Sequence, residues 1–321
     1  MTNPYTEISF PSIGLTLDPS KGFSIGSLEI HWYGVLIAVG LMLALLYGLG
    51  QSKKFGLKDD DIIDGVLCIV PFAVLCAILY YCSFDWDRYK DNLISILYIW
   101  EGGLAIYGGV IGAAIGIVAF ALIKKSKVKL TAALDITAIG FLIGQSVGRW
   151  GNFINREAFG AATDAFTRMG LYNSLTGKVE YYHPTFLYES LWNLCGFLLL
   201  HFLSKRRKYD GQIALGYVAW YGLGRTFIEG LRMDSLYWGP VRVSQVLAAA
   251  SCFAAVVVLV IMMFKQHDPS KLFVNVVAAR EAAAEAAELE ALAEKSADEA
   301  ADGSCGECDA ADENAEETGD E

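Results

Sequence analysis

The sequence lacks the features of a disulfide-stabilised, redox or metal-binding protein. Five of its seven cysteines lie in or beside apolar segments, where a free thiol behaves as a small hydrophobic side chain. Cys305 and Cys308 have C-x-x-C spacing, but no second pair or histidine lies nearby to complete a site. Residues 1–30 lack the basic start and short apolar core of a signal peptide. We therefore expect no disulfide framework, no metal and no cofactor, and internal segments must direct any membrane insertion.

Charged residues are also scarce, and they are unevenly distributed. They make up 19% of the 321 residues, whereas 54% are hydrophobic and the mean hydropathy is +0.39, which indicates a polytopic membrane protein. Residues 267–321 contain 17 acidic and 3 basic side chains, whereas residues 1–266 contain 19 and 22. We predict a membrane domain over 1–266 and an acidic cytoplasmic tail over 267–321. The tail is expected to be helical at first and disordered beyond Asp298.

The apolar residues are grouped into runs long enough to cross a bilayer as helices, which takes about 20 residues each. The fold class predicted from them is therefore an all-α polytopic membrane protein with seven transmembrane helices. The runs lie near residues 33–51, 63–82, 103–123, 132–150, 184–204, 212–230 and 244–264.

The basic residues of the short connections predict the orientation. Dense clusters follow the first, third and fifth spans, and the other connections contain few basic residues or are much longer. Because positive loops face the cytoplasm, the N-terminus is predicted outside and the C-terminus inside. A head loop over 151–183 then lies on the outer side. The clusters are Lys53, Lys54 and Lys58; Lys124, Lys125, Lys127 and Lys129; and Lys205, Arg206, Arg207 and Lys208.

A polar stretch over 148–160 follows the fourth apolar run and contains Arg149, Asn152, Glu157 and Gly160. It has two readings: an ordinary helix end followed by a polar loop, or a site for a charged ligand at a membrane boundary. Glycines recur every four residues in the third and fourth spans, which favours close helix packing in lipid. We expect these ridges to hold the polar stretch against the start of the third span.

Ionisable side chains also occur in the sixth span and beyond it. Arg225, Glu229 and Arg232 share one helical face, and a structural ion pair would explain the first two but not the third. Three arginines with two carboxylates suit an anionic headgroup, because guanidinium matches phosphate in a two-pronged geometry. Three other candidates lie at or near outer span ends, where interface or capping roles are alternatives: Tyr33, Tyr107 and His183. A fourth candidate, Tyr221, lies within the sixth span one turn before Arg225.

Over residues 29–265 the chain resembles the prolipoprotein diacylglyceryl transferases. Besides the stretch over 148–160, the resemblance rests on four segments in family order: His31-Trp32-Tyr33-Gly34, Glu101-Gly102-Gly103-Leu104, His183-Pro184-Thr185 through Tyr188-Glu189, and Tyr221 to Arg232. It implies transfer of the sn-1,2-diacylglyceryl group from phosphatidylglycerol to a lipobox cysteine thiol of prolipoproteins, with release of glycerol phosphate. It also implies a monomer in the bacterial cell membrane, with its active site toward the outer leaflet and no nucleic-acid partner.

The chemistry of this reaction suggests roles for individual residues. Arg149 and Arg225 would bind phosphate, Asn152 would orient it, and Glu157 and Glu229 would hold the arginines. Tyr33 and Tyr107 would donate hydrogen bonds, although many family members have a histidine at the position of Tyr107, to which thiol activation is assigned. Further contacts to phosphatidylglycerol would come from Gly160, His183, Tyr221 and Arg232.

A lipid or small-anion transporter is the alternative class, since it would also bury arginine and glutamate beside a cavity. The halves of the chain show no convincing internal repeat, and no charge lies deep in the second or seventh span, which disfavours a transporter. A purely structural scaffold would leave the intramembrane charges unexplained. A covalent thioether product separates the enzyme from both alternatives.

Overall fold

The computed structural model describes residues 4–26, 28–90, 92–97, 103–233, 237–239 and 241–312. The chain divides into two compact units, residues 1–273 and 274–321. Within the described ranges the helices are α1 Trp32–Gln51, α2 Asp59–Phe84, α3 Trp86–Tyr89, α4 Ile106–Lys124, α5 Leu130–Asn155, α6 Thr185–Ser204, α7 Gln212–Glu229, α8 Val243–Met263 and α9 Phe273–Asp312.

Six helical segments of the described chain are long and apolar enough to cross a membrane, so the protein is a multi-pass membrane protein. They correspond to the predicted spans one to five and seven. Helix α7 coincides with the predicted sixth span but is not among the six, because its glycines, Arg225 and Glu229 lower its hydropathy. The six segments are Trp32–Phe55, Asp59–Phe84, Ile106–Lys124, Leu130–Asn155, Thr185–Ser204 and Val243–Met263.

The glycine ridges hold helices together, but in different pairs from those expected. In α4, Gly108 and Gly112 lie directly against backbone carbonyls of α2, where an added Cβ would overlap them. In α5, Gly144 lies 3.2 Å from the point where a Cβ on Gly40 of α1 would stand. Helix α4 therefore packs along α2, and α5 along α1. The expectation that both ridges hold the polar stretch against the start of the third span is wrong, and Gly148 faces open space.

The head that includes the loop over residues 151–183 contains a β-sheet, so the all-α prediction is incomplete. Strands β1 Tyr5–Phe10, β2 Leu15–Leu17, β5 Met169–Asn173 and β6 Lys178–Tyr182 form an antiparallel sheet in the order β2-β1-β5-β6. Two small hairpins pair β3 Gly22–Ile25 with β4 Leu28–His31, and β7 Tyr237–Trp238 with β8 Val241–Arg242.

The sheet joins the head to the ends of α5 and α6. Ile8 and Leu171 are fully buried and pack in one cluster with Phe153 of α5 and Phe186 of α6. At the edge of the sheet, Glu180 accepts hydrogen bonds from the hydroxyl groups of Tyr182 at 2.7 Å and Tyr5 at 3.2 Å. These bonds, led by the one from Tyr182, lower the pKa of the Glu180 carboxyl. The N-terminal residues are thus part of the same layer as the head loop.

Helix α5 is longer than predicted, because it includes residues 148–155 of the polar stretch. The head loop therefore begins at Arg156 rather than at residue 151. The chain leaves the helix through Arg156 in the left-handed region at φ 55°, and the Arg156 amide donates to the carbonyl of Phe153. Ala158 also has φ 55°, an uncommon conformation for a residue with a Cβ.

In the second unit, α9 reaches Asp312, past the Asp298 at which the sequence predicted loss of structure. Alanine and glutamate favour helix over most of this segment, whereas Gly303 and Gly306 near its end do not. The predicted disorder of residues 313–321 concerns residues outside the described ranges.

Candidate active site

Three arginines surround one buried glutamate where the C-terminal ends of α5 and α7 meet the N-terminal end of α6. Glu189 of α6 is only 3% exposed. Its Oε2 lies 2.5 Å from Nη2 of Arg149 of α5, and its Oε1 lies 3.3 Å from Nη1 of Arg225 of α7. Nη1 of Arg232, just beyond α7, lies 3.2 Å from the same Oε1. A carboxylate shared among three guanidinium groups holds them within a few ångströms of one another despite their repulsion.

A second carboxylate, Glu229, holds Arg225 from within α7. Its Oε2 lies 2.6 Å from Nη2 of Arg225 one helical turn away, which confirms the predicted pair. Its backbone carbonyl accepts a hydrogen bond from Arg242. Glu157, the other carboxylate predicted to hold an arginine, does not pair with Arg149 in the described contacts, because Arg149 pairs with Glu189 instead.

Asn152 connects the arginine cluster with Glu157. Arg149 Nη1 donates to Asn152 Oδ1 at 3.3 Å, and Asn152 Nδ2 donates to Glu157 Oε1 at 3.0 Å. Asn155 donates to the same Glu157 oxygen at 3.3 Å. Arg156 and Ala158, on either side of Glu157, both have positive φ and reverse the chain direction. The exposed Glu157 carboxylate therefore lies against the end of α5. Glu157 thus orients Asn152 rather than an arginine.

Arg156 is a structural residue that the sequence reasoning missed. Its side chain is 4% exposed and lies in the head, where Nη2 donates to Asp18 at 2.6 Å and to the Pro19 carbonyl at 2.9 Å. Burial lowers the pKa of this guanidinium, and Asp18 opposes that shift. The contact fastens the N-terminal segment to the loop that contains Glu157. Spacing gave no signal for it, since Asp18 is 138 positions away.

Gly160 lies where three segments meet closely. Its amide donates to the His183 carbonyl at 2.9 Å, and it forms an antiparallel bridge with Arg232. A Cβ on Gly160 would lie 2.7 Å from the His183 Cβ and 3.0 Å from the Leu231 carbonyl, so this position requires glycine. The contact of Gly160 with His183 and with residues 231–232 is called the seam. The His183 ring lies 3.4 Å, Nδ1 to hydroxyl, from Tyr188. Gly160, His183 and Arg232, three residues predicted to contact the lipid, thus lie next to one another.

The three predicted tyrosines differ in their placement. Tyr33 packs its ring against Gly151, close enough to Arg149 and Glu157 to interact electrostatically with both. Tyr221 stacks on Tyr217, with ring centroids 5.7 Å apart. Tyr107 is 48% exposed, and its hydroxyl pairs with Ser244 of α8 at 3.1 Å. Tyr107 therefore contacts the start of α8, where Arg242 and Gln245 on either side of Ser244 bond to carbonyls of α7. The motif residues Glu101 and Gly102 lie outside the described ranges.

An apolar cavity of about 520 Å³ opens between α1, α2, α4 and α5. Its walls are almost entirely aliphatic and glycine, with Asp61, Thr137 and Gln145 as polar exceptions. The predicted polar site and this cavity share α5, since Gln145 lies one helical turn before Arg149. The arrangement offers cationic donors to a headgroup and an apolar space to hydrocarbon.

Charge decides what the polar site can do. Among the described side chains that pair here, Arg149, Arg225 and Arg232 carry one more charge than Glu189 and Glu229 together. Such a cluster suits a monoanionic phosphate and stabilises negative charge that develops on it. Within the described residues, no group of three or more histidine, cysteine or acidic side chains is arranged to hold a metal ion.

The amino-acid sequence is similar to those of named proteins over most of its length. A family model described as prolipoprotein diacylglyceryl transferase matches residues 21–261. The phosphatidylglycerol–prolipoprotein diacylglyceryl transferase of Listeria monocytogenes serotype 4a is 41% identical over 259 residues, which cover 79% of this chain and 92% of the relative. The enzyme of the same name from Enterococcus faecalis is 40% identical over 268 residues, or 80% and 94% of the two chains. The one from Bacillus velezensis is 41% identical over 253 residues, or 76% and 92%.

Proposed function

The chain belongs to the prolipoprotein diacylglyceryl transferase family, and we propose that it transfers the sn-1,2-diacylglyceryl group of phosphatidylglycerol to the lipobox cysteine of prolipoproteins. The observation that supports a phosphate-leaving reaction is the cluster of Arg149, Arg225 and Arg232 around Glu189. The transporter alternative is not favoured, because the relatives reported above have transferase names.

The reaction forms a carbon–sulfur bond and breaks a carbon–oxygen bond. The cysteine sulfur attacks the glyceryl carbon that bears the phosphate, and the electron pair of the broken bond leaves with glycerol phosphate. The thiol proton must be lost, and an unperturbed thiol with a pKa of about 8.5 is only a few per cent ionised near neutrality. A cationic site favours the thiolate as well as the departing phosphate, so the arginines assist both partners of the displacement.

The side chains around the cluster divide this work. Arg149 and Arg225 are the phosphate ligands, and Arg232 adds positive charge from the seam with Gly160 and His183. Glu189 and Glu229 hold the guanidinium groups in place before substrate arrives, and Glu157 orients Asn152 toward the same phosphate. Tyr33 of α1 and Tyr221 of α7 bind the headgroup, since both helices line the site. Tyr107 contacts Ser244, so thiol ionisation depends on the arginines rather than on a base at position 107.

The aliphatic cavity between α1, α2, α4 and α5 provides the space for acyl chains of the lipid, which enters sideways from the bilayer. We take α7 as a seventh crossing segment, with the N-terminus outside and the basic connections in the cytoplasm. The head and the arginine cluster then face the outer leaflet of the bacterial cell membrane. The protein acts as a monomer, with residues 1–266 as the catalytic domain and the acidic tail over 267–321 accessory to it.

The purified protein in phosphatidylglycerol vesicles is expected to attach labelled diacylglyceryl to a lipobox peptide through a thioether. Absence of that product from a folded preparation would refute the proposed activity. Arg149→Ala and Arg225→Ala should each reduce turnover to background, because each removes a phosphate ligand. Arg168→Ala is the matched control, since Arg168 packs over Tyr181 in the head, and it should retain turnover. Retained turnover in either site variant would remove that arginine from the phosphate site.

A further inference from the structure

Two tryptophans join α6 to α7 directly beside the arginine cluster. Trp192 lies three residues after Glu189 in α6, and Trp220 lies five residues before Arg225 in α7. Their rings are stacked, with centroids 4.4 Å apart and planes inclined by 18°. Each indole N–H donates to the backbone carbonyl of the other tryptophan, with both N···O distances 3.0 Å. This reciprocal contact of Trp192 and Trp220 is called the Trp clasp below.

A glycine four residues after each tryptophan makes the clasp possible. In an α-helix the carbonyl of residue i accepts the amide of residue i+4, so the side chain at i+4 borders that carbonyl. A Cβ on Gly196 would overlap the Trp220 indole nitrogen, and one on Gly224 would overlap that of Trp192. The W-x-x-x-G pattern in both helices therefore exposes the two carbonyls that the indoles reach.

The clasp is near enough to Glu189 to fix its position. Three residues along a helix span about 4.5 Å, so Trp192 and Glu189 lie on successive turns of α6. Glu189 in turn meets Arg225 of α7 at 3.3 and 3.4 Å through its two oxygens. In lipid, close packing and interhelical hydrogen bonds rather than the hydrophobic effect fix the distance between helices. The separation of α6 and α7 at the clasp therefore sets the Glu189–Arg225 separation.

We propose that the Trp clasp positions Glu189, and through it the arginines, for the transfer reaction. The proposal rests on the function proposed above. Trp192 and Trp220 are positioning residues, because each acts through Glu189 and Arg225. A misplacement of about 1 Å at reacting groups can cost about a hundredfold in rate, so losing an indole donor lowers kcat far more than it changes KM.

The test compares Trp192→Phe, Trp220→Phe and the double variant with wild type in the thioether assay. Each single variant is expected to lower kcat about tenfold or more, with KM for phosphatidylglycerol within about twofold. The double variant should fall little further, because the two bonds act as one unit. Tyr47→Phe is the matched control: it removes a 2.9 Å bond to His201 at the far end of the same helix α6. It should lose comparable thermal stability and retain kcat.

A second measurement does not depend on activity. In chemical unfolding, Trp220→Phe and Glu189→Gln should be non-additive by at least about twofold in the unfolding constant, although they lie on different helices. Tyr47→Phe and Glu189→Gln should be additive. Additivity of the first pair, or full kcat in Trp192→Phe, overturns the proposal.

If a phenylalanine variant fails to fold, benzothienylalanine at position 192 keeps the ring shape and removes only the N–H donor. A wild-type protein without thioether product would instead refute the proposed function, and the unfolding cycle would still decide the clasp.

Discussion

Replacing Glu189 by glutamine is the most informative single change, because it removes charge at the centre of the site while keeping the shape of the side chain. Wild-type Glu189 has 5% of its side chain exposed and compensates Arg149, Arg225 and Arg232 at 2.5, 3.3 and 3.2 Å. With glutamine, three guanidinium groups remain close together, and Glu229 becomes the remaining acidic partner of the buried cluster.

The cost follows from burial. Removing one partner of a buried ion pair destabilises a protein by about 3–5 kcal/mol, since the remaining charge is desolvated without compensation. The opposite case is Asp87, whose side chain is 90% exposed and pairs with a half-exposed Lys90 at 2.8 Å. For that surface pair, Asp87→Asn is expected to cost about 0–1 kcal/mol. The two variants remove the same charge and differ mainly in burial.

Thermal unfolding of the solubilised protein and the thioether assay measure the two effects. Glu189→Gln should lower the unfolding midpoint markedly and reduce turnover at least about a hundredfold, because the repelling arginines move from the phosphate position. Raising the phosphatidylglycerol content should recover part of the stability, since an anion then replaces the missing carboxylate. A midpoint equal to that of Asp87→Asn, together with full turnover, would refute the assignment of Glu189 as the centre of the site.

Four further predictions concern the surroundings of the site. Arg156→Ala loses its charge-assisted bonds to Asp18 and Pro19, so it should cost about 1.5–3 kcal/mol and expose residues 11–21 to limited proteolysis. Because hydrogen bonds lower the folded-state pKa of Glu180, its stabilisation is present above pH 4.5, the ordinary pKa, and is lost as pH falls through the lowered pKa. Amide protection factors in β5 and β6, which correct for the intrinsic exchange rate, should therefore fall in acid in wild type, and Glu180→Gln should flatten that dependence. Tyr107→Phe should change turnover by less than about fivefold, because its hydroxyl meets Ser244. A stop after Phe273 should leave turnover intact, whereas a stop after Asp268 should lower thermal stability, because buried Phe273 donates its amide to Asp210.

The membrane helices were predictable because long apolar runs are a local signal. Six of the seven predicted segments correspond to helices with the length and composition of spans, with boundaries shifted by a few residues. The sheet was not predictable, because β1 pairs with β5 across more than 160 positions, and neither strand has a distinctive local pattern. The pairing of helices through their glycines was equally non-local. Glycine spacing shows that a face packs closely but not which helix it meets.

The site was predictable as a set of residues but not as a set of contacts. Arg149, Arg225, Glu229 and Arg232 were identified because ionisable residues are rare in apolar segments. Glu189 appeared only within a family-like motif, since a single carboxylate in an apolar run does not indicate its partners. Glycine at 160 is explained only by three segments that meet there, two of them far away in sequence.

Helix direction agrees with the signs of most charges at this site. Helices α5 and α7 bring their C-terminal ends to the site, where the helix dipole favours cations; Arg225 lies one turn before the end of α7 and Arg232 three residues beyond it. Helix α6 brings its N-terminal end, which favours an anion, and Glu189 is its fifth residue. Glu229 is the exception, an acid at a C-terminal end, and it is the carboxylate that pairs with an arginine one turn earlier in its own helix. Antiparallel neighbours in a bundle therefore place arginines and a glutamate at one end, where the ion pairs of Glu189 and Glu229 hold the arginines before any lipid binds.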